Sequence, residues 1–143
     1  LNSQYAIRHV VAADELDELN RVNNAVFLQY AEKIAREHAD ALGLGWQALG
    51  PLGTAFVVRR HEADYFGAAV LGEELTIRTR LLEMAGARAK RLVEILRGND
   101  ILFRCLTEWA YIGTLDGRPR RLPREMIDRV LGAIATSPVP LPS

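Results

Sequence analysis

The amino-acid sequence predicts an α+β fold: an antiparallel sheet covering one long helix. One run of helical periodicity starts at Ala25 and continues for about five turns, longer than the average helix. Four strand candidates then follow one another between Thr54 and Leu115, with no second long helix among them. The last two are joined by "GND" at Gly98 to Asp100, a tight-turn signal. A chain of 143 residues, 49% of them hydrophobic, suits one core, so one domain over residues 1–143 is expected.

In chain order, Gln4 to Val11 mixes apolar and polar residues and reads as a short strand. The stretch "AADELDELNRVNN" is acidic and then amide-rich, and reads as a loop ending in a helix cap, because an asparagine oxygen can accept from the free N–H groups of a first turn. Val26, Phe27, Tyr30, Ala31, Ile34, Ala35, His38, Ala39 and Leu42 recur at spacings of three and four, the apolar face of the helix, and Gly43 is its expected stop. Residues Ala41 to Val58 carry no charge, but Gly43, Gly45, Gly50, Pro51 and Gly53 interrupt them. A membrane span needs about 20 mostly apolar residues, so this stretch reads as a loop running into a strand. The strands are Thr54 to Ala63, Glu73 to Leu82, Arg88 to Arg97 and Ile101 to Leu115; "DGRP" at Asp116 to Pro119 ends the last. A short amphipathic helix is expected from Arg124 to about Ile134, and the proline-rich residues from about 136 to 143 as a frayed tail.

Eighteen Lys and Arg balance eighteen Asp and Glu, so no global field recruits nucleic acid. The single cysteine, Cys105, cannot form an internal disulfide. With no signal-peptide pattern at the start and no membrane span, a cytoplasmic protein is expected. No Cys/His spacing suggests a metal, no Gly-rich phosphate loop is present, and no cofactor is called for.

The stretch "DELNRVNNAVFLQYAEKIAR" places a lone acid, Asp17, six residues ahead of two asparagines, Asn23 and Asn24, at a helix start. Taken alone, acids and amides in such a place are most often caps. The stretch also resembles hotdog-fold acyl-CoA thioesterases of the 4-hydroxybenzoyl-CoA thioesterase type. There, a loop of the form D-x-x-G-[HIV]-V-N-N leads into a central helix that runs Y-L-x-Y-x-E-x-x-R. Asp17 matches the acid, and Val22, Asn23 and Asn24 match "VNN". Phe27-Leu28 stands for "YL", and Tyr30, Glu32 and Arg36 match the helix. In element order the resemblance runs from Tyr5 to Ile134; its specific part is some twenty residues. The family's glycine is Asn20 here, which tolerates left-handed φ better than most residues, and its frequent histidine is Arg21.

The resemblance implies a hotdog fold, a sheet wrapped around the central helix, and hydrolysis of acyl-CoA or acyl carrier protein thioesters. It implies that Asp17 sits beside the thioester carbon, as nucleophile or general base, and that the Asn24 N–H polarises the carbonyl. Glu15 and Glu18 are rival acids if the loop register differs; Asp14 lies too close to the first strand. Asn23, Arg21 and His61 are candidate substrate contacts. Arginines suit the phosphates of coenzyme A, and Arg59, Arg60, Arg88, Lys90, Arg91, Arg118, Arg120 and Arg121 are candidates, with "RPRR" at Arg118 to Arg121 the densest cluster. That cluster also suits an ordinary basic turn balancing acids elsewhere.

Other side chains have plainer readings. Glu32 and Arg36, four apart, are expected to form a helix-surface ion pair. Tyr30 and Cys105 are expected in the core, and His38 as a satisfied core or interface histidine. The rival functions are a hotdog dehydratase or hydratase, which wants a histidine and an acid in one pocket, and a non-catalytic acyl-binding module. The helix start has no histidine, which argues against the first. A one-sided sheet leaves a spare edge, so a homodimer or homotetramer is expected.

Overall fold

The computed structural model describes residues 4–136, and their side chains as far as residue 130. Of the expected frayed tail, about 136 to 143, residue 136 ends the last helix and residues 137–143 lie outside the described residues. The elements are β1 (Gln4–Val10), α1 (Asn24–Ala41), the single-turn α2 (Trp46–Leu49), β2 (Thr54–Tyr65), β3 (Glu74–Ala85), β4 (Arg88–Arg97), β5 (Asp100–Gly113) and α3 (Arg124–Thr136). The strands form one antiparallel sheet in the order β1-β3-β4-β5-β2. This sheet, laid around α1, is the hotdog fold.

Strand alternation and helix period meet in the core. Phe27, Ile34 and Ala31 of α1 pack on Leu75, Ile77, Val93, Ile95, Phe103 and Cys105 of the sheet. Each fully buried large side chain contributes about 1.5–3 kcal/mol. A second cluster closes the other end of α1: Leu42, Leu44 and Leu49 meet Leu81 and Met84 of β3, and Met126 and Val130 of α3. Gly43 ends α1 with φ of 74°, as its position predicts. Arg97 pairs with Asp100 across a two-residue turn whose first residue, Gly98, has φ of 59°.

The stretch read as a plain loop before β2 contains α2 and a 3-10 turn at Gly50–Leu52. Four residues between glycines are too few for periodicity to reveal. β2 and β1 are the sheet's two edges. The β2–β5 register shifts between Val58 and Arg60, which makes Arg59 a bulge. The extra residue reverses the alternation. Phe56 and Val58 lie opposite Tyr111 and Trp109, but beyond the bulge His61, not Arg60, lies opposite the buried Thr107.

Candidate active site

The loop between β1 and α1 is closed on itself. Leu16 and Val22 form an isolated antiparallel bridge, the Asp17 N–H donates to the Arg21 carbonyl at 2.8 Å, and the Asn20 N–H donates to the Asp17 carbonyl at 3.0 Å. Asp17 Oδ1 accepts from the backbone N–H of Leu19 at 2.8 Å and of Arg21 at 3.4 Å. Asn20 has φ of 60°, so the turn needs a residue that accepts the left-handed region, and asparagine supplies it where the resembling family has glycine. The Val22 N–H donates to the Ala69 carbonyl, and Arg97 Nη1 donates to the Ala68 carbonyl and to Glu73. The loop is therefore braced from the end of β4.

Asn23 is the N-cap of α1, its side chain accepting from the Ala25 N–H at 2.8 Å. The N–H groups of Val26 and Phe27 go to the Asn23 carbonyl. The Asn24 N–H takes no acceptor among the described residues, and it is the positive end of an 18-residue helix. The Tyr65 hydroxyl, from the end of β2, donates to the Asn24 carbonyl at 3.1 Å. Phe27 stacks on Phe103 beside it, and the Tyr65 ring tilts against both. Asp17 and its amide neighbours thus share one loop and one helix start, with an aromatic wall.

The rival acids separate. Glu15 is engaged by the Ala12 N–H at 2.8 Å and by His9 Nε2 at 2.8 Å. Burial pushes the Glu15 carboxyl up, but the hydrogen bonds from Ala12 and His9 outweigh it and the net shift is downward. The buried Tyr30 hydroxyl stands beside it beyond hydrogen-bonding geometry, and burial first, then that carboxylate, keep the phenol protonated. Glu15 holds the loop in place. Glu18 is exposed.

His61 reaches α1. Its Nδ1 lies 2.8 Å from Thr107 Oγ1 and its Nε2 lies 3.3 Å from Glu32 Oε1. Glu32 only accepts, so Nε2 carries a proton, and in the neutral ring Nδ1 accepts from Thr107. The expected Glu32–Arg36 ion pair is therefore absent: Glu32 turns to His61, and Arg36 pairs with no acid among the described residues. Cys105 and Tyr30 are core residues, and burial pushes the Cys105 thiol up. His38 is buried and satisfied by Arg91.

The cationic candidates are dispersed. Arg21, Arg59, Arg60, Arg118 and Arg121 are exposed. Arg120 turns back to Asp116, Arg88 pairs with Glu108 and Lys90 with Glu83. Arg91 is 4% exposed, so it is no surface phosphate contact. The ladder from Thr54↔Gly113 to Tyr65↔Phe103 spans about 35 Å. Tyr65 touches Asn24, whereas Arg118 and Arg121 follow Gly113. Within one chain they stand at the far end from Asp17.

A family model described as the thioesterase-like superfamily matches residues 10–130. The chain belongs to that superfamily. It is similar to a probable thioesterase from Bartonella henselae, at 30% identity over 84% of this chain and 99% of that one, with a TM-score of 0.76. A thioesterase from Thermus thermophilus, solved with coenzyme A and Zn, is 27% identical over 87% of this chain and 95% of that one, with a TM-score of 0.76. A Staphylococcus aureus protein solved in complex with CoA shares the fold at 11% identity, with a TM-score of 0.90 over 100% of this chain and 91% of that one. No curated protein matches. Among the described residues of this thioesterase-like chain, no group of three or more His, Cys, Asp or Glu is arranged to hold a metal ion, and no helix is long and apolar enough to cross a membrane.

Proposed function

We propose that the protein hydrolyses acyl-CoA thioesters to free acid and thiol, as a thioesterase of the 4-hydroxybenzoyl-CoA type, the whole chain acting as one such unit. The observation that carries this is the open Asn24 N–H at the start of α1, reached through the self-braced loop that carries Asp17. An acyl oxygen on that N–H gains a hydrogen bond and the helix dipole as negative charge develops on it. The Asp17 carboxylate attacks the thioester carbon, or takes a proton from the water that does. The C–S bond breaks, the thiolate leaves and takes up a proton, and water supplies the second oxygen of the acid. The CoA complexes of the superfamily's structural neighbours support coenzyme A as the donor.

We read the active form as a homodimer, which can double to a tetramer. β2 is an open edge. Antiparallel pairing of β2 with its copy across a two-fold axis sets the Thr54 end of one chain beside the Tyr65 end of the other. That brings Arg118 and Arg121 of the second copy, with Arg59 and Arg60 on the seam, toward the first copy's Asp17, Arg21 and Asn23, and gives the nucleotide phosphates their cations. Light scattering showing a monomer at micromolar concentration refutes this part.

The experiment for the activity is release of free thiol from a panel of acyl-CoA and acyl carrier protein thioesters, with Asp17→Asn beside wild type. Activity on none of them sinks the proposal. One observation favours a second reading. His61 and Glu32 form a histidine–carboxylate pair, and Glu32 lines a cavity, which is the pairing a dehydratase or hydratase wants. Loss of the conjugated absorbance of an enoyl-CoA, with no thiol released, would select it.

A further inference from the structure

A cavity of about 470 Å³ lies between the C-terminal half of α1, α2, β2 and the nearby ends of β3, β4 and β5. Within the chain it is separate from the thioester site. Ala35, Ala39 and Asp40 of its α1 wall stand about 17–24 Å along the helix from Asn24. The close-packed core around Phe27, Ala31 and Ile34 fills the N-terminal half of that helix, so an acyl group held at Asn24 does not enter the cavity. Much of the cavity wall is apolar, including Leu44, Leu49, Phe56, Leu81 and Met84.

Arg91 is set into that wall and is 4% exposed. Its Nη1 donates to His38 Nδ1 at 2.8 Å and to Thr79 Oγ1 at 3.0 Å. Because arginine only donates, His38 accepts at Nδ1 and is neutral. Both partners are therefore uncharged. Among the described residues Arg91 Nε and Nη2 have no acceptor, yet neither nitrogen is sealed into the core. Burial brings the Arg91 pKa down to about 10, so it remains charged at neutral pH. A buried charge with no counter-ion is costly and rare. The acids that line the cavity do not cancel it. Glu32 is partly exposed and held by His61, and Asp40 is exposed and packed against Gly45. The buried part of the cavity thus offers a cation with one edge open, set in an apolar wall.

We propose that this cavity is a second binding site, for a free carboxylic acid with an apolar tail, whose carboxylate seats on Nε and Nη2 of Arg91 while its tail lies on Leu44, Leu49, Phe56, Leu81 and Met84. The assignment goes beyond the thioesterase reading and does not depend on it. A carboxylate supplies the missing counter-ion and matches the open edge of the guanidinium fork with two parallel hydrogen bonds. His38 and Thr79 hold Nη1 and fix the direction of that edge. The apolar wall gains from covering a hydrocarbon tail and gains nothing from a small hydrated anion.

The test titrates octanoate into the wild-type protein, followed by calorimetry and by tryptophan fluorescence. The chain has two tryptophans, Trp46 and Trp109, and both line the cavity, so binding there is expected to change the emission. 1-Octanol lacks the charge and acetate lacks the tail, and each is expected to bind about tenfold more weakly or worse. Arg91→Met is expected to weaken octanoate by about tenfold or more and to remove its advantage over 1-octanol. Melting temperature checks that Arg91→Met is folded. Should it not fold, Arg91→Lys keeps the charge without the fork and is expected to weaken octanoate severalfold. Unchanged affinity in the folded variant overturns the proposal. Saturating coenzyme A is expected to leave octanoate binding intact; competition would put the acid in the thioester site and overturn the assignment of a second one. No binding by wild type, equal binding of 1-octanol or acetate, or unchanged tryptophan emission also overturns it. None of these measurements depends on hydrolysis, so failure of the thioesterase reading is told apart from failure here.

Discussion

His61 Nε2 donates to Glu32 Oε1 at 3.3 Å and so ties the middle of β2 to the middle of α1. Both groups keep partial exposure, and such a pair contributes at most about 1 kcal/mol to stability. Under the thioesterase reading its part is to orient β2 against the helix. His61→Ala is then expected to lower acyl-CoA hydrolysis by less than about tenfold, well short of a lost general base. A loss as deep as that of Asp17→Asn would make His61 part of the chemistry.

Asp17→Asn separates the turn from the chemistry. The amide Oδ1 can still accept from Leu19 and Arg21, so the loop and melting temperature should be kept. The carboxylate is gone, and kcat is expected to fall by about 10²-fold or more with KM little changed. If Asp17→Asn is nearly wild type while Glu18→Gln is dead, the acid has been misassigned within the loop.

The same loop depends on Asn20. At φ of 60°, Asn20→Gly should be neutral within about 0.5 kcal/mol, whereas Asn20→Val should cost about 1–2 kcal/mol and distort the approach to Asn24. Urea unfolding of the two variants, with kcat measured alongside, checks this. Equal stability would show that the left-handed turn is not required.

Glu15 sets a pH signature on stability. Its folded pKa lies below its ordinary value of 4.5, so its contribution is fully present above that value and is lost as pH falls through the folded value. Glu15→Gln is expected to be less stable than wild type at pH 7 by about 1–2 kcal/mol, with the gap closing in the acid range below 4.5. Denaturation midpoints across that range measure it, and a gap independent of pH would contradict it.

Arg118 and Arg121 test the seam. They are exposed and pair with no acid among the described residues. Arg118→Ala with Arg121→Ala should raise KM for acyl-CoA and leave kcat nearly intact, since the contact is remote from the reacting bond. Added salt should reproduce part of the effect. An unchanged KM would remove both arginines from the site.

Local physics made much of this protein legible in its sequence. The spacing of Phe27, Tyr30 and Ile34 fixes one face of α1, because a helix repeats every 3.6 residues wherever it lies. Asn23 as a cap, Asn20 as a left-handed turn residue, Gly43 as a stop and Gly98 as a hairpin residue all follow from what one backbone position can adopt. The resemblance of residues around Asp17 to thioesterases also lies within one contiguous stretch. Tertiary structure decided the rest, because those features join residues far apart in the chain. One bulge at Arg59 turns His61 toward α1, and Glu32 then leaves its helix neighbour Arg36 for a partner on β2. Arg91 reads as one more basic residue on a strand until β4 lands at the centre of the sheet and carries it under α1 beside His38. Arg118 and Arg121 look like a basic cluster, and only the length of the β2–β5 ladder shows that one chain holds them at the far end from Asp17. Periodicity reports which face a residue occupies; what stands opposite that face is set by strand order and register.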